Sequence, residues 1–186
     1  LYRKESSIVY SKDNQVIAKL GSEIRQVITF DDMPQVLVDA IIATEDSRYY
    51  QHNGVDLPRF MKAAISQVLG NSAAGGGSTI TQQLAKQLYS ERASTTRERL
   101  FQKPIEWMIS LRLEKHYTKK EILTMYLNYF DFLHNAVGIK TASRTYFSKE
   151  PSELSIQEAA TLVGMCKNPS YFNPVRRPDR TRNRRN

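Results

Sequence analysis

Residues 75–88 read GGGSTITQQLAKQL, and this stretch predicts a change from a loop to a helix. Glycine adopts backbone conformations that other residues avoid, so residues 70–77, GNSAAGGG, are predicted to form a mobile loop. Ser78 or Thr79 caps the helix that follows. Thr79 also has Gln82 three residues later, the spacing of a capping box, in which each residue bonds to the other's backbone. The chain from Ser78 onward is therefore predicted to be helical.

This helix has a buried face and a polar face. Its predicted buried residues are Ile80, Leu84 and Leu88. Gln82, Gln83 and Lys86 fall elsewhere on its circumference and can face a cleft. A helix N-terminus after a glycine loop also offers N–H groups to an anion. The alternative is an ordinary loop and a capped helix, but the spacing favours a phosphate or pyrophosphate site. Because Lys86 lies well inside the helix, the stretch is not a nucleotide-binding P-loop.

The charge balance favours an anionic partner. The 186 residues include 27 Lys and Arg against 19 Asp and Glu, a net charge of +8. Nucleic acid, an acidic membrane surface and a phosphorylated substrate all fit this charge. The Arg-rich residues 176–186 argue for nucleic acid, but no aromatic residues interleave them to stack bases. The single cysteine, Cys166, excludes an internal disulfide and is predicted to be buried.

On both sides of residues 75–88 the chain is predicted to be mainly helical. Residues 7–18 alternate apolar and polar residues around Asp13 and Asn14, which predicts a β-hairpin. From Pro34 onward the pattern is helical, so only the N-terminal part is predicted to contain sheet. No apolar run is long enough to span a bilayer and no signal peptide is present. Because the chain starts with Leu and stops abruptly, it is interpreted as a piece of a longer protein.

Four helix starts are marked by proline or by capping residues, at Pro34, Asp56, Thr118 and Ser155. The helix after Asp56 is predicted to bury Phe60, Ala64, Ile65 and Val68. Residues 90–102 are polar, basic and poorly periodic, which suggests a mobile lobe. A long helix follows, with Pro104 at its start or at a kink.

Glu45 is the first candidate for chemistry. It ends the helix that starts near Pro34, where a carboxylate opposes the helix dipole. A glutamate at a helix end in a cleft suits a general acid or base. The alternative is a surface carboxylate or a structural anchor. His52 could carry a proton or bind a metal, but no second His or Cys has ligand spacing, so we interpret it as tying the loop before Gly54.

Lys103 and Glu106 are a second candidate pair. They are three residues apart and share a helix face. A simple salt bridge is the alternative interpretation of this pair.

Five stretches together resemble one family. They are ATEDSRYYQHNGVD, GGSTITQQLAK, KPIEWMISLRLEKHYTKKEILTMYLN, AVGIKTASRTYF and LSIQEAATLVGMCKNPSYFNP. They are similar, in this order, to the motifs of the peptidoglycan glycosyltransferases, glycosyltransferase family 51. This family occurs in class A penicillin-binding proteins and in monofunctional enzymes. The resemblance covers about residues 17–186.

The resemblance implies a mainly α fold, with a lysozyme-like helical head, a small membrane-facing jaw lobe and a short N-terminal β-hairpin. The hairpin and linker are predicted at residues 1–30. The glycosyltransferase domain follows at residues 31–175, with its jaw at about 89–105. Residues 176–186 form a basic tail that leads to a missing region, which could be a transpeptidase domain.

The resemblance also implies an activity. The family polymerises lipid II into β-1,4-linked glycan strands, with inversion and release of undecaprenyl pyrophosphate. Glu45 matches the general base, and Glu106 matches a second glutamate on the pyrophosphate or metal side. The residues that match substrate-binding positions are Ser78, Thr79, Gln83, Lys86, Lys103 and Ser170. The residues that match structural positions of the motifs are Asp46, His52, Gly54, Gln82 and Asn128.

The implied cofactor is a divalent ion, Mg²⁺ or Mn²⁺, near Glu106, with no organic cofactor. The implied partners are lipid II, the growing strand, an anionic membrane surface and other cell-wall synthesis proteins, but no nucleic acid. The implied location is the outer, periplasmic face of the bacterial cytoplasmic membrane, with the membrane anchor outside this fragment.

Two residues depart from the family pattern. Gln102 stands where the family has Arg, a place that Arg97 or Arg99 could fill. Val137 stands where a Tyr precedes Gly138. The competing functions are a lysozyme-like lytic hydrolase or transglycosylase, a basic nucleic-acid-binding module, and a catalytically degenerate cell-wall scaffold.

Overall fold

The fold is given by a computed structural model. It describes residues 7–10, 12–13, 16–20, 24–69, 77–89 and 96–186. The predicted turn residue Asn14 and the predicted mobile loop, except for Gly77, lie outside these residues. The chain forms two compact units. The first unit is Leu1–Leu37 with Leu127–Asn186, and the second is Val38–Tyr126.

The described residues are mainly helical, as the sequence predicts. Their α-helices are α1 Gln35–Glu45, α2 Leu57–Val68, α3 Ile80–Tyr89, α4 Thr96–His116, α5 Lys119–Tyr129, α6 Ile139–Phe147, α7 Ile156–Lys167 and α8 Pro178–Arg185. Short 3-10 helices lie at Phe30–Asp32, Tyr49–Gln51 and Pro151–Glu153. The strands are β1 Ser7–Tyr10, β2 Val16–Leu20, β3 Ile24–Arg25 and β4 Ala136–Val137.

The strands form two small sheets. β1 pairs with β2 in antiparallel fashion, with Val9 opposite Ala18. β3 pairs with β4 in parallel fashion, with Arg25 opposite Val137. The prediction that sheet is confined to the N-terminal part is therefore wrong. A strand of two residues carries no alternating pattern, because the period of a strand is itself two residues.

The predicted capping boxes at Thr118 and Ser155 are confirmed. The backbone N–H of Thr118 donates to the carboxylate of Glu121 at 2.7 Å, and the Glu121 N–H donates back to the threonine hydroxyl at 3.3 Å. Ser155 and Glu158 form the same reciprocal pair at the start of α7. Each box satisfies N–H groups that the first helical turn leaves without a partner.

α4 starts earlier than the sequence predicts. Residues 96–102 belong to this helix instead of an irregular lobe, and Pro104 lies inside it. Residues 90–95 lie outside the described part of the chain. Proline removes one backbone hydrogen bond and usually ends or kinks a helix. Here α4 continues through Pro104 and packs along α3.

The core of the second unit forms around α3, which sends its apolar face inward. Ile80 and Leu84 are fully buried, as predicted, and Leu88 is half-buried. α2 follows its predicted pattern less well. Phe60 is half-buried, but Ile65 is exposed, so the prediction that Ile65 points inward is wrong.

In the first unit, the basic C-terminal segment forms α8. The guanidinium of Arg180 lies 4.5 Å from the centre of the Tyr171 ring, and that of Arg184 lies 5.9 Å from the Phe172 ring. α8 packs on α7, where Cys166 is buried as predicted. These arginines therefore stack on aromatic rings of their own unit.

Candidate active site

Glu45 is the last residue of α1 and is half-buried. Its Oε2 accepts a hydrogen bond from Nε2 of Gln83, on α3, at 3.1 Å. The Oε1 of Gln83 in turn accepts from the hydroxyl of Tyr126, on α5, at 3.0 Å. The candidate base is thus held by a side chain from a different helix.

Asp46 follows Glu45 and anchors the end of α1. Its carboxylate is fully buried and accepts from the backbone N–H of Ile80 at 3.1 Å. Both of its oxygens lie 3.0 Å from Nε2 of His52. The guanidinium of Arg59, on α2, lies 3.6 Å away. One buried carboxylate therefore joins the end of α1 to the starts of α2 and α3, and this fixes the position of Glu45.

The predicted capping box opens α3. The N–H of Thr79 donates to Oε1 of Gln82 at 3.0 Å, and the N–H of Gln82 donates to the hydroxyl of Thr79 at 3.1 Å. That hydroxyl also donates to the carbonyl of Gly54 at 2.6 Å. Gln82 is buried in this role, so the prediction that it can face a cleft is wrong.

Three of the N–H groups at this helix start, where the sequence predicts an anion site, are already bonded inside the protein. Thr79 and Gln82 use their N–H groups in the capping box, and Ile80 gives its N–H to Asp46. An N–H that is already bonded inside the protein offers no donor to an anion. These three groups are therefore not available to an anion, and a nearby side chain is the candidate for a positive charge.

Lys103 supplies such a charge next to the start of α3. Its Nζ donates to the hydroxyl oxygen of Ser78 at 3.2 Å and to Oε2 of Glu106 at 2.7 Å. Glu106 is buried, with 3% of its surface exposed, while the Lys103 side chain is 44% exposed. The pair is therefore a buried carboxylate that holds a partly exposed ammonium group in place.

Lys86 and Thr79 are not part of the contact between Lys103 and Glu106. Lys86 is exposed on α3, one turn beyond Gln83. Thr79 is fully buried and its hydroxyl is bonded inside the protein. Ser78 contacts the ammonium group of Lys103, whereas the Thr79 hydroxyl donates to the carbonyl of Gly54.

Gly54 is required by the loop that carries His52. Its φ is +88°, and an added Cβ would lie 2.9 Å from the carbonyl oxygen of Ser110. Any other residue at this position would strain the backbone and bring its Cβ too close to Ser110. The loop can therefore approach α4 closely only with glycine at this position.

Asn128 and Ser170 belong to the first unit. Asn128 is buried and bonds both backbone groups of Ile28, accepting from its N–H at 3.1 Å and donating to its carbonyl at 2.8 Å. Ser170 is exposed in the turn after α7. Val137, the departure from the family pattern, is buried in β4. The side chains of Arg97 and Arg99 lie outside the described part of the structure.

A resident divalent ion does not fit the residues around Glu106. No group of three or more His, Cys, Asp or Glu residues that could hold a metal occurs among the described residues. The carboxylate of Glu106 is already matched by the ammonium group of Lys103 at 2.7 Å. Two cations at one carboxylate repel each other, so an ion here would need ligands from outside the protein.

Sequence reasoning missed two polar residues of this unit. Tyr126 is one of them, and the available signal is that a buried tyrosine hydroxyl needs a hydrogen-bond partner. Glu114 accepts from the hydroxyl of Thr81 at 2.6 Å and from Nζ of Lys119 at 2.7 Å. The sequence carries no signal for this second cluster, because its residues come from three different helices.

Comparison with known proteins decides the family. The transglycosylase family model matches residues 13–186. The chain belongs to the transglycosylase family. It is 41% identical over 97% of its length to penicillin-binding protein 1A/1B of Bacillus subtilis (strain 168). It is 40% identical over 96% of its length to penicillin-binding protein 1A of Escherichia coli (strain K12). In each case the chain spans 20% of the relative.

A solved structure supports the fold of this family member. The crystal structure of penicillin-binding protein 1A from Haemophilus influenzae is similar over 100% of this chain and 17% of its own. The TM-score is 0.50 and the sequence identity is 23%. This likeness shows the fold and not the chemistry.

Proposed function

We propose that the chain is a peptidoglycan glycosyltransferase that polymerises lipid II into β-1,4-linked glycan strands. The observation that carries this proposal is the arrangement around the start of α3. Gln83 of this helix holds the carboxylate of Glu45, and Ser78, just before the helix, contacts the ammonium group of Lys103. A candidate base and a candidate anion-binding cation therefore both lie against one helix start. Membership of the transglycosylase family supports the same function.

In the proposed reaction Glu45 is the general base. Its carboxylate takes the proton from the 4-hydroxyl of the acceptor sugar, and the oxygen forms a bond to the anomeric carbon of the donor. The bond from that carbon to the pyrophosphate breaks with its electron pair, and undecaprenyl pyrophosphate leaves. A single displacement inverts the α-linkage of the donor to a β-linkage. A positioned base of this kind typically contributes ~10²–10⁴-fold to a rate.

Lys103 and Lys86 are proposed to stabilise the charge that develops on the leaving pyrophosphate. Lys103 is held by Glu106, so its ammonium group is oriented before the substrate arrives. A cation that is already in place needs no reorganisation in the transition state. We assign Ser78 to the same leaving-group side because its hydroxyl contacts Lys103. Ser170 keeps its proposed contact with substrate on the family resemblance alone.

The proposal gives Glu106 a role that does not require a resident metal ion. We assign Glu106 to holding Lys103, and no step of the reaction is routed through a divalent ion. A Mg²⁺ or Mn²⁺ ion would reach the site on the substrate pyrophosphate, because Mg²⁺ is often bound by one carboxylate together with substrate phosphates.

We propose that the second unit also contacts the outer face of the cytoplasmic membrane. α4 exposes Phe101, Ile105 and Met108 on one side, within or close to the proposed jaw lobe at about 89–105. The net charge of +8 suits an anionic lipid surface, where each nearby Lys or Arg adds about 1 kcal/mol. No helix in the described ranges has both the length and the apolar character to cross a bilayer.

The test is turnover of lipid II by the membrane-anchored protein, with wild type beside Glu45→Gln and Glu106→Gln. Asp179→Asn, an exposed carboxylate of α8, is the matched control. We expect polymer from wild type and the control, and a loss of ~10²–10⁴-fold in Glu45→Gln. Glu106→Gln should lose less, because it leaves Lys103 present but less firmly held.

Other outcomes would favour the competing functions. Cleavage of finished glycan strands, without use of lipid II, would favour a lytic enzyme. Wild type that makes no polymer with Mg²⁺ and Mn²⁺ supplied would favour a scaffold disabled at Gln102 and Val137. Salt-dependent binding of DNA that survives Glu45→Gln would favour a nucleic-acid-binding module.

A further inference from the structure

Tyr126 and Gln83 form a hydrogen-bonded chain that ends on Glu45. The Tyr126 hydroxyl lies 3.0 Å from Oε1 of Gln83, and Nε2 of Gln83 lies 3.1 Å from Oε2 of Glu45. Tyr126 is fully buried, with 0% of its surface exposed. The chain therefore runs from the core of the second unit to the proposed base.

The direction of this chain follows from its chemistry. The amide of glutamine has an oxygen that accepts and a nitrogen that donates. If the amide of Gln83 were turned over, its oxygen would face the carboxylate of Glu45 and two acceptors would meet. The Tyr126 hydroxyl can both donate and accept, but by donating it pairs with the amide oxygen and leaves the amide nitrogen for Glu45. Each bond thus favours the orientation that the other one needs.

We propose that Tyr126 is a positioning residue that acts on Glu45 through Gln83. It holds the Gln83 amide so that an N–H always points at the carboxylate, and this fixes the orientation of the carboxylate. The inference rests on the proposed role of Glu45 as the base. Tyr126 itself is not proposed to touch substrate.

A double-mutant cycle tests this relay, the hydrogen-bonded chain that runs from Tyr126 through Gln83 to Glu45. Tyr126→Phe removes only the hydroxyl, and Gln83→Met keeps a side chain of similar length without the amide. We expect Tyr126→Phe to lower kcat roughly fivefold with KM unchanged, the effect of one ordinary hydrogen bond. Gln83→Met should lower kcat at least as much. The double variant should match Gln83→Met alone, because the proposed effect of Tyr126 on Glu45 passes through that amide.

Tyr49→Phe is the matched control for buried hydroxyl loss. Tyr49 is also fully buried in the second unit, and its hydroxyl donates to the carbonyl of Lys119 at 2.7 Å. We expect Tyr49→Phe to leave kcat within about twofold of wild type. Equal losses in Tyr49→Phe and Tyr126→Phe would overturn the relay. So would a Tyr126→Phe effect that is as large in the Gln83→Met background as in wild type.

A second measurement separates this inference from the proposed function. The side-chain amide resonances of Gln83 in NMR spectra of the protein report its two hydrogen bonds without any turnover. We expect them to shift in Tyr126→Phe and in Glu45→Gln but not in Tyr49→Phe. If they shift in this way while wild type makes no polymer, the relay stands and the proposed function fails. If Tyr126→Phe leaves them unchanged, the relay is wrong whatever the activity.

Discussion

The two units differ in whether they bury carboxylates, although both bury neutral polar side chains. Among the described residues, the buried carboxylates all lie in the second unit, at Asp46, Asp56 and Glu106. The first unit buries neutral side chains, and these bond mostly to nearby backbone. Its buried polar residues are Asn128, Ser143, Thr161, Asn173 and Thr181. A neutral group bonded to backbone fixes the fold at small cost, whereas a buried charge costs several kcal/mol unless it is paired.

This difference coincides with the position of the proposed active site. Two of these carboxylates lie near the start of α3, where Asp46 accepts from the N–H of Ile80 and Glu106 holds Lys103 next to Ser78. Buried charges that are retained despite their desolvation cost are common at functional sites. In the first unit Ser143 donates to the carbonyl of Lys149 after α6, and Thr161 donates to the carbonyl of Gln157 within α7.

The largest expected effect tests the buried charge of the second unit. Asp46→Ala should lower the free energy of unfolding by about 3–5 kcal/mol, because it leaves His52 and the N–H of Ile80 buried without their partner. Chemical denaturation of the two variants would measure the loss, with Asp131→Ala, an exposed aspartate of the first unit, as the control. A loss for Asp46→Ala no larger than for the control would remove the distinction between the units.

A smaller effect is expected from Asn128, a neutral buried side chain of the first unit. Asn128→Ala removes both hydrogen bonds to Ile28 and leaves a buried N–H and a buried carbonyl unpaired. The expected loss in unfolding free energy is about 2 kcal/mol. Asn128→Asp keeps the acceptor but sets a carboxylate against the Ile28 carbonyl, so it should cost at least as much. If Asn128→Ala costs more than Asp46→Ala under the same denaturant series, the order of the two units is reversed.

The smallest effect is expected at the surface of the first unit. Hydrogen bonds from Lys149 and from the backbone N–H of Ser155 lower the pKa of Glu158 from 4.5 to about 2. A lowered pKa gives stability that is present above about pH 4.5 and is lost as the pH falls toward about 2. Glu158→Gln should therefore lower the thermal midpoint slightly at pH 7, and the difference should shrink on the way to pH 3. A difference that stays constant over this range would assign Glu158 a packing role instead of a charged one.

Much of the fold could be predicted from local patterns. The capping boxes at Thr79, Thr118 and Ser155 open α3, α5 and α7 as predicted, because a cap depends on residues only three positions apart. The predictions failed where distant contacts decide. The part of α4 before Pro104 was not predicted, and the pairing of β4 with β3 depends on residues far apart along the chain.

For the candidate site, the sequence by itself determined the types of residue and the family. Five motifs in order named Glu45, Lys103 and Glu106 as candidates, and the family model covers nearly the whole chain. Motifs record which residues are present, because they are runs of neighbours. They do not record which hydrogen bonds those residues form across the fold.

Only the tertiary structure decided how these residues are used. It showed that the N–H groups of Thr79, Ile80 and Gln82 are already bonded inside the protein and are not available to an anion. It also brought Tyr126 to Gln83, although they lie 43 residues apart in sequence. The physical reason is that a buried polar group must find a partner wherever the fold provides one, and that choice depends on packing between helices rather than on spacing along the chain.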